Sequence, residues 1–132
     1  MIQYKRGYKY QLAETYSIMT PFGQDKVVGL DFLVLEPSGL LTIFKGYAWD
    51  GPSGPTFDTR DFMRGSLVHD AFYQLIRHEL VPYECKDEVD DYLVLICDED
   101  GMWSLRQKWV RKGVEIGGDP RPSNIRPILI AP

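Results

Sequence analysis

A histidine and an aspartate stand side by side at positions 69 and 70, and two further aspartates, Asp50 and Asp90, flank them along the chain. These residue types suit water activation. Neutral imidazole takes a proton from water when a carboxylate holds its other nitrogen, and a second carboxylate can ligate a hard cation that polarises a carbonyl or phosphoryl oxygen. On that reading His69 is the base, Asp90 its orienting partner, and Asp70, together with Asp50, a ligand to a divalent cation such as calcium. Backbone carbonyls from residues 47–54 would complete the cage, since calcium takes about six to eight oxygens at flexible distances.

The same residues also admit plain structural roles. Asp50 before Gly51 makes a turn, His69 can donate to a buried carbonyl and pack on Tyr73, Asp70 can pair with Arg77, and Asp90 can pair with Lys86 one helical turn earlier. A buried hydrogen-bond network that fastens a loop to two helices needs the residue types of a catalytic site. The alternatives stay open at the level of sequence.

The site residues need elements to position them. Gly46, Gly51 and Gly54 allow backbone angles closed to other residues, while Pro52 and Pro55 fix φ, so residues 48–58 form a rigid loop. Asp58 or Thr59 then caps a helix running to about Leu80, on which Phe62, Ser66, His69, Tyr73, Ile76 and Leu80 make a stripe at three- and four-residue spacing. Leu67, Val68, Phe72 and Leu75 widen it, so this helix is mostly buried. Pro82 stops it, and a second helix begins near Glu84 with Cys85, Val89, Tyr92, Leu93 and Ile96 on its apolar face and Gly101 at its end. The short connection makes the two antiparallel, bringing Asp87, Asp90 or Asp91 opposite His69. A third helix, about residues 103–114, is expected to turn Leu105, Trp109 and Val110 inward.

Before the loop the chain is β-rich. Residues 8–18 read as a first strand or a bent pair, and residues 27–36 and 40–47 as a hairpin about Pro37-Ser38-Gly39. The run 30–35 is almost wholly apolar, the pattern of a strand covered on both faces; Leu41, Ile43 and Tyr47 alternate with Thr42 and Lys45. The proline-rich tail from Gly117 is extended, and its apolar residues 128–130 suit an added strand or a docking contact. The expected fold is α+β in a single domain: residues 1–47 β-rich, 48–58 the loop, 59–116 helical and 117–132 the tail.

Composition narrows the class. With 132 residues and 44% hydrophobic content, the chain suffices for one core. No apolar run approaches the roughly 20 residues that span a bilayer, and the first residues lack a secretion signal, so a soluble cytoplasmic product is expected. Cys85 and Cys97, on one expected helix, would lie about 18 Å apart, too far for a disulfide. The net charge of −4 argues against a nucleic-acid partner. Residues 79–100 are acidic while Arg106, Lys108, Arg111, Lys112, Arg121 and Arg126 make the last third basic, which suits either complementary faces within one fold or contact between copies in a homo-oligomer.

Two resemblances bear on function. A loop tyrosine and glycines, then His-Asp with a tyrosine three residues on, then an aspartate on an antiparallel helix, is similar to calcium-dependent secreted phospholipases. That likeness implies a base at His69, a calcium ligand at Asp70, a supporting Tyr73 and an orienting Asp90, with Tyr47 in the loop. It covers about a third of the chain, and Gly65, Ser66 and Phe72 stand where those enzymes place disulfide cysteines. More extensively, Gly46-Tyr47-Ala48-Trp49-Asp50-Gly51-Pro52-Ser53, Ser66-Leu67-Val68-His69-Asp70-Ala71-Phe72-Tyr73, Asp90 and Val110-Arg111-Lys112-Gly113 resemble the phage and prophage domain of unknown function numbered 1353. This implies a phage or prophage origin, with the host cytoplasm or the virion as location. Two functions follow: a small hydrolase acting on an ester, amide or phosphoester in a small-molecule or polymer substrate, or a non-enzymatic virion, assembly or host-takeover protein that contacts other phage proteins and in which the His-Asp network is structural.

Overall fold

The computed structural model describes residues 3–5, 8–49, 60–117 and 120. The fold is α+β, with antiparallel strands preceding three helices. The described residues fall into two compact units, one of strands and one of helices.

Seven strands make up the first unit: β1 Gln3–Lys5, β2 Tyr8–Gln11, β3 Tyr16–Met19, β4 Val28–Leu30, β5 Leu33–Leu35, β6 Leu40–Ile43 and β7 Ala48–Trp49. They form two sheets, ordered β1-β2-β7 and β3-β6-β5-β4. Alternation governs the larger sheet. Leu33 stands opposite Ile43 and Leu35 opposite Leu41, and all four side chains are buried on one face. The apolar run 30–35 is therefore not one strand covered on both faces. The chain reverses at Asp31 and Phe32, pairing Leu30 with Leu33, and Val34 stays half-buried on the other face. This tight turn carries neither glycine nor proline, which is why composition concealed it. Residues 8–18 divide between the two sheets, the bent-pair alternative.

The expected turn at 37–39 is present. Gly39 has φ 98°, and an added Cβ would come within 2.0 Å of the Thr20 carbonyl oxygen, so both angle and space require glycine. Ala48 and Trp49, assigned to the loop from sequence, instead form β7 through pairing with Gln11 and Tyr10. The Trp49 ring lies 5.5 Å from that of Tyr10, so packing of a buried tryptophan on a half-buried tyrosine extends the ladder to the loop's edge.

The second unit holds α1 Arg60–Arg77, α2 Lys86–Glu99 and α3 Ser104–Gly117, with a 3-10 turn, Tyr83–Cys85, before α2. Leu67, Val68, Phe72, Leu75 and Ile76 are buried along α1, as its spacing predicts. Helix α1 and helix α2 run antiparallel: Arg64 reaches Glu99 and Asp100 at one end, and Tyr73 reaches Asp90 nearer the other. Phe62, Leu93, Cys97, Met102 and Val110 form the core where α3 joins them.

Both helix ends are set by left-handed residues. At the α2 end Gly101 has φ 94°, with its N–H bonded to the Asp98 carbonyl and that of Met102 to Cys97. The α1 end has the same paired bonds, Glu79 to Ile76 and Leu80 to Leu75, so the helix stops at Arg77, before Pro82 is reached. There the left-handed position holds Glu79, φ 61°. Cys85 lies in the 3-10 turn rather than in α2, and both thiols are free.

One expectation for α3 is overturned. Val110 is buried, but Leu105 and Trp109 are 66% and 69% exposed, because the inward stripe runs through Arg106, Val110 and Val114. No described helix is long and apolar enough to cross a membrane.

The strain at Glu79 gives a test. A non-glycine residue in this conformation costs roughly 1–2 kcal/mol, partly offset by glycine's freer unfolded chain. Glu79→Gly is expected to raise unfolding free energy by about 1 kcal/mol, read as a higher urea midpoint at unchanged slope.

Candidate functional site

Helix α1 presents His69 and Tyr73 one turn apart, and their rings pack with centroids 4.0 Å apart. Asp90 on α2 faces both. Its side chain is wholly buried, and its Oδ1 lies 2.7 Å from His69 Nε2 and accepts a 2.6 Å hydrogen bond from the Tyr73 hydroxyl. Its Oδ2 accepts from Lys86 Nζ at 2.9 Å, four residues earlier on the same helix. Helix α3 adds a second cation: Arg111 Nη1 lies 3.8 Å from Oδ2, while its Nε donates to Asp91 at 2.8 Å. Three helices thus converge on one carboxylate.

The close approach of α1 and α2 has a visible cause. Gly65 sits against α2, where an added Cβ would come within 2.8 Å of Leu93 Cδ1 and 3.0 Å of Cys97 Sγ. Without a side chain there, the helices draw close enough for a direct His69–Asp90 hydrogen bond one turn along.

Electrostatics follow from burial and donors. Burial alone would push the Asp90 carboxyl up, but hydrogen bonds from His69, Tyr73 and Lys86 outweigh it and hold Asp90 below the ordinary carboxylate value. Asp90 is therefore ionised. Burial, with the hydrogen bond and charge of Asp90 behind it, raises the Tyr73 phenol far above its usual range, so Tyr73 remains a donor. An ionised carboxylate only accepts, so in the neutral imidazole Nε2 carries the hydrogen and Nδ1 carries the lone pair. Such an imidazole can take a proton at Nδ1 while Asp90 stabilises the charge at Nε2. The cysteines offer no competing nucleophile. Burial, aided by Asp61 and Asp100, pushes the Cys97 thiol up to about 12, and burial with Glu88 and Glu84 raises that of Cys85.

Of the four sequence candidates, His69 and Asp90 are brought together; among the acidic residues Asp87, Asp90 and Asp91, it is Asp90 that reaches the imidazole. Asp70 is half-buried, lies outside the hydrogen bonds on Asp90, and is itself engaged in a further interaction. Asp50 and the loop 50–59 lie outside the described residues, as does the tail beyond 117 apart from Pro120. Among the described residues no group of three His, Cys, Asp or Glu side chains is placed to hold a metal ion.

The Lys86 contact was legible as an i, i+4 pair, but it coexists with the His69 bond rather than replacing it. Arg111 was missed. Its signals were a basic segment following an acidic one and its place in Val110-Arg111-Lys112-Gly113, and pairing of Arg111 with Asp91 realises part of that complementarity within one chain.

Compared with protein-family models, with curated proteins and with solved structures, the chain finds no match. The functional reading therefore rests on the geometry around Asp90.

That geometry makes stability pH-dependent with a defined sign. The folded Asp90 carboxyl titrates below its unfolded value of about 3.9, so its stabilisation is fully present above that pH and drains as pH falls through the lower folded value. Asp90→Asn, which leaves Lys86 and Arg111 facing a neutral group, is expected to cost about 3 kcal/mol at neutral pH. The gap to wild type should narrow as pH falls towards about 3, as read by urea unfolding across the range.

Proposed function

We propose that this protein is a small hydrolase in which His69 activates water against an ester, amide or phosphoester, and that it is encoded by a phage or prophage. The observation that carries the catalytic reading is the double acceptance at Asp90 Oδ1, 2.7 Å from His69 Nε2 and 2.6 Å from the Tyr73 hydroxyl. Together these contacts set the ring's orientation and its tautomer, the two things a base needs fixed before it meets its substrate.

The chemistry runs through this chain's own atoms. Nδ1 of His69 takes a proton from water as the oxygen attacks the carbonyl or phosphoryl centre. Asp90 stabilises the imidazolium through Nε2–H, and Nδ1 then returns the proton to the departing oxygen or nitrogen. Tyr73 and Lys86 hold Asp90 ionised and immobile throughout. The phage or prophage setting is supported by the resemblance of the Trp-Asp-Gly and His-Asp segments; location in the host cytoplasm or the virion follows from that resemblance.

A second reading has an observation of its own. Asp90 is fully buried and receives groups from all three helices, which is also how a purely structural fastener is built. On that reading the protein is a virion, assembly or host-takeover component.

Paired measurements separate the two. A panel of nitrophenyl esters, anilides and phosphoesters is assayed alongside thermal unfolding. For a hydrolase, His69→Gln lowers turnover on the cleaved substrate by about 10²–10⁴-fold with a far smaller proportional loss of stability, and Tyr73→Phe lowers it less. Absence of turnover across the panel, with His69→Gln destabilising as strongly as Asp90→Asn, would establish the fastener instead.

A further inference from the structure

We propose that α3 carries a docking surface for a second copy of this chain, and that it meets the acidic side of α2 in that copy. Of the three tryptophans, Trp49 is buried, but Trp103 and Trp109 are 82% and 69% exposed, with Leu105 between them at 66%. At that exposure the two tryptophans together leave roughly 350 Å² of largely aromatic surface uncovered. A standard interface takes about 800 Å² from each partner, so flanking residues must supply the rest.

Those flanking residues identify the partner by charge. Lys108 and Lys112 border Trp109, and with Arg111 and Glu115 they line an open depression of about 370 Å³. Helix α3 exposes Lys108 and Lys112 beside Glu115, whereas α2 exposes five carboxylates, Asp87, Glu88, Asp91, Asp98 and Glu99. On α2 the exposed Glu88 is followed along the same helical face by Leu95, itself half exposed, and Glu84 extends that face into the preceding turn. Each surface therefore joins apolar side chains to charge, with opposite signs. A phosphate-rich partner would meet the cations of α3 but also the carboxylates of its neighbour α2; a second copy satisfies both helices. The same pairing used inside the chain by Arg111 and Asp91 is repeated between chains. This surface does not rest on the hydrolase reading, although Arg111 at its edge also reaches Asp90.

Sedimentation of the full chain over a concentration series tests the proposal. Wild type is expected to self-associate, more weakly at high salt, and Trp109→Glu to weaken association by at least about tenfold with the helical circular dichroism unchanged. Lys108→Glu with Lys112→Glu, and separately Glu84→Lys with Glu88→Lys, should each impair association. Mixing these two double variants should restore it, because both contacts regain opposite charges. A wild type that stays monomeric, an association indifferent to Trp109→Glu, or a mixture that fails to recover would overturn the proposal. A monomer that binds phosphatidylglycerol vesicles through Trp109 would overturn the choice of partner.

Discussion

A carboxylate withdrawn from water must be given donors or it will not stay ionised, and that requirement at Asp90 organises the helical half of this protein. Helix α1 supplies an imidazole and a phenol, α2 an ammonium from its own preceding turn, and α3 a guanidinium beyond it. Each helix thereby has a polar reason, in addition to its apolar one, to sit where it does. Apolar packing is tolerant of small rotations, whereas hydrogen bonds of 2.6–2.9 Å are not. The polar centre selects one arrangement among those the core would accept.

Its reach is set by small backbone features. Gly65 leaves out a side chain where α1 packs on Leu93 and Cys97 of α2, and the left-handed residues Glu79 and Gly101 end the two helices. A side chain there would press on Leu93 and Cys97, one turn from the His69–Asp90 hydrogen bond. The interhelical packing and the chemistry of the site are therefore coupled through a residue that takes part in neither hydrogen bond.

How far these features could be read from sequence depended on whether they were local. The stripe along α1 follows from three- and four-residue spacing, and antiparallel pairing through a short connection sufficed to bring an acidic residue opposite His69. Which of three neighbouring aspartates it was depended on helix phase, which periodicity leaves uncertain by about one residue. The reversal at Asp31 and Phe32 escaped because a turn without glycine or proline looks like more strand. Helix α3 offered two rival apolar stripes, one through Leu105 and Trp109 and one through Val110 and Val114. Contacts of Arg106 with α1 and of Arg111 with α2 turn the smaller stripe inward, a choice made by residues distant in sequence. The role of Asp50 depends on a loop outside the described residues.

The way Asp90 is surrounded has a further implication for proton traffic. Among the described residues the groups that meet it, a phenol, an ammonium, a guanidinium and an imidazole N–H, all point hydrogens at it, so a proton reaching the carboxylate would have to displace one of them. The carboxylate is a terminus and not a relay station. With Nε2 committed to Asp90, a proton taken up by the ring at Nδ1 leaves by that same atom, in the manner of a revolving door with a single opening. On the proposed hydrolase reading, that one ring would serve first as acceptor and then as donor within a single cycle.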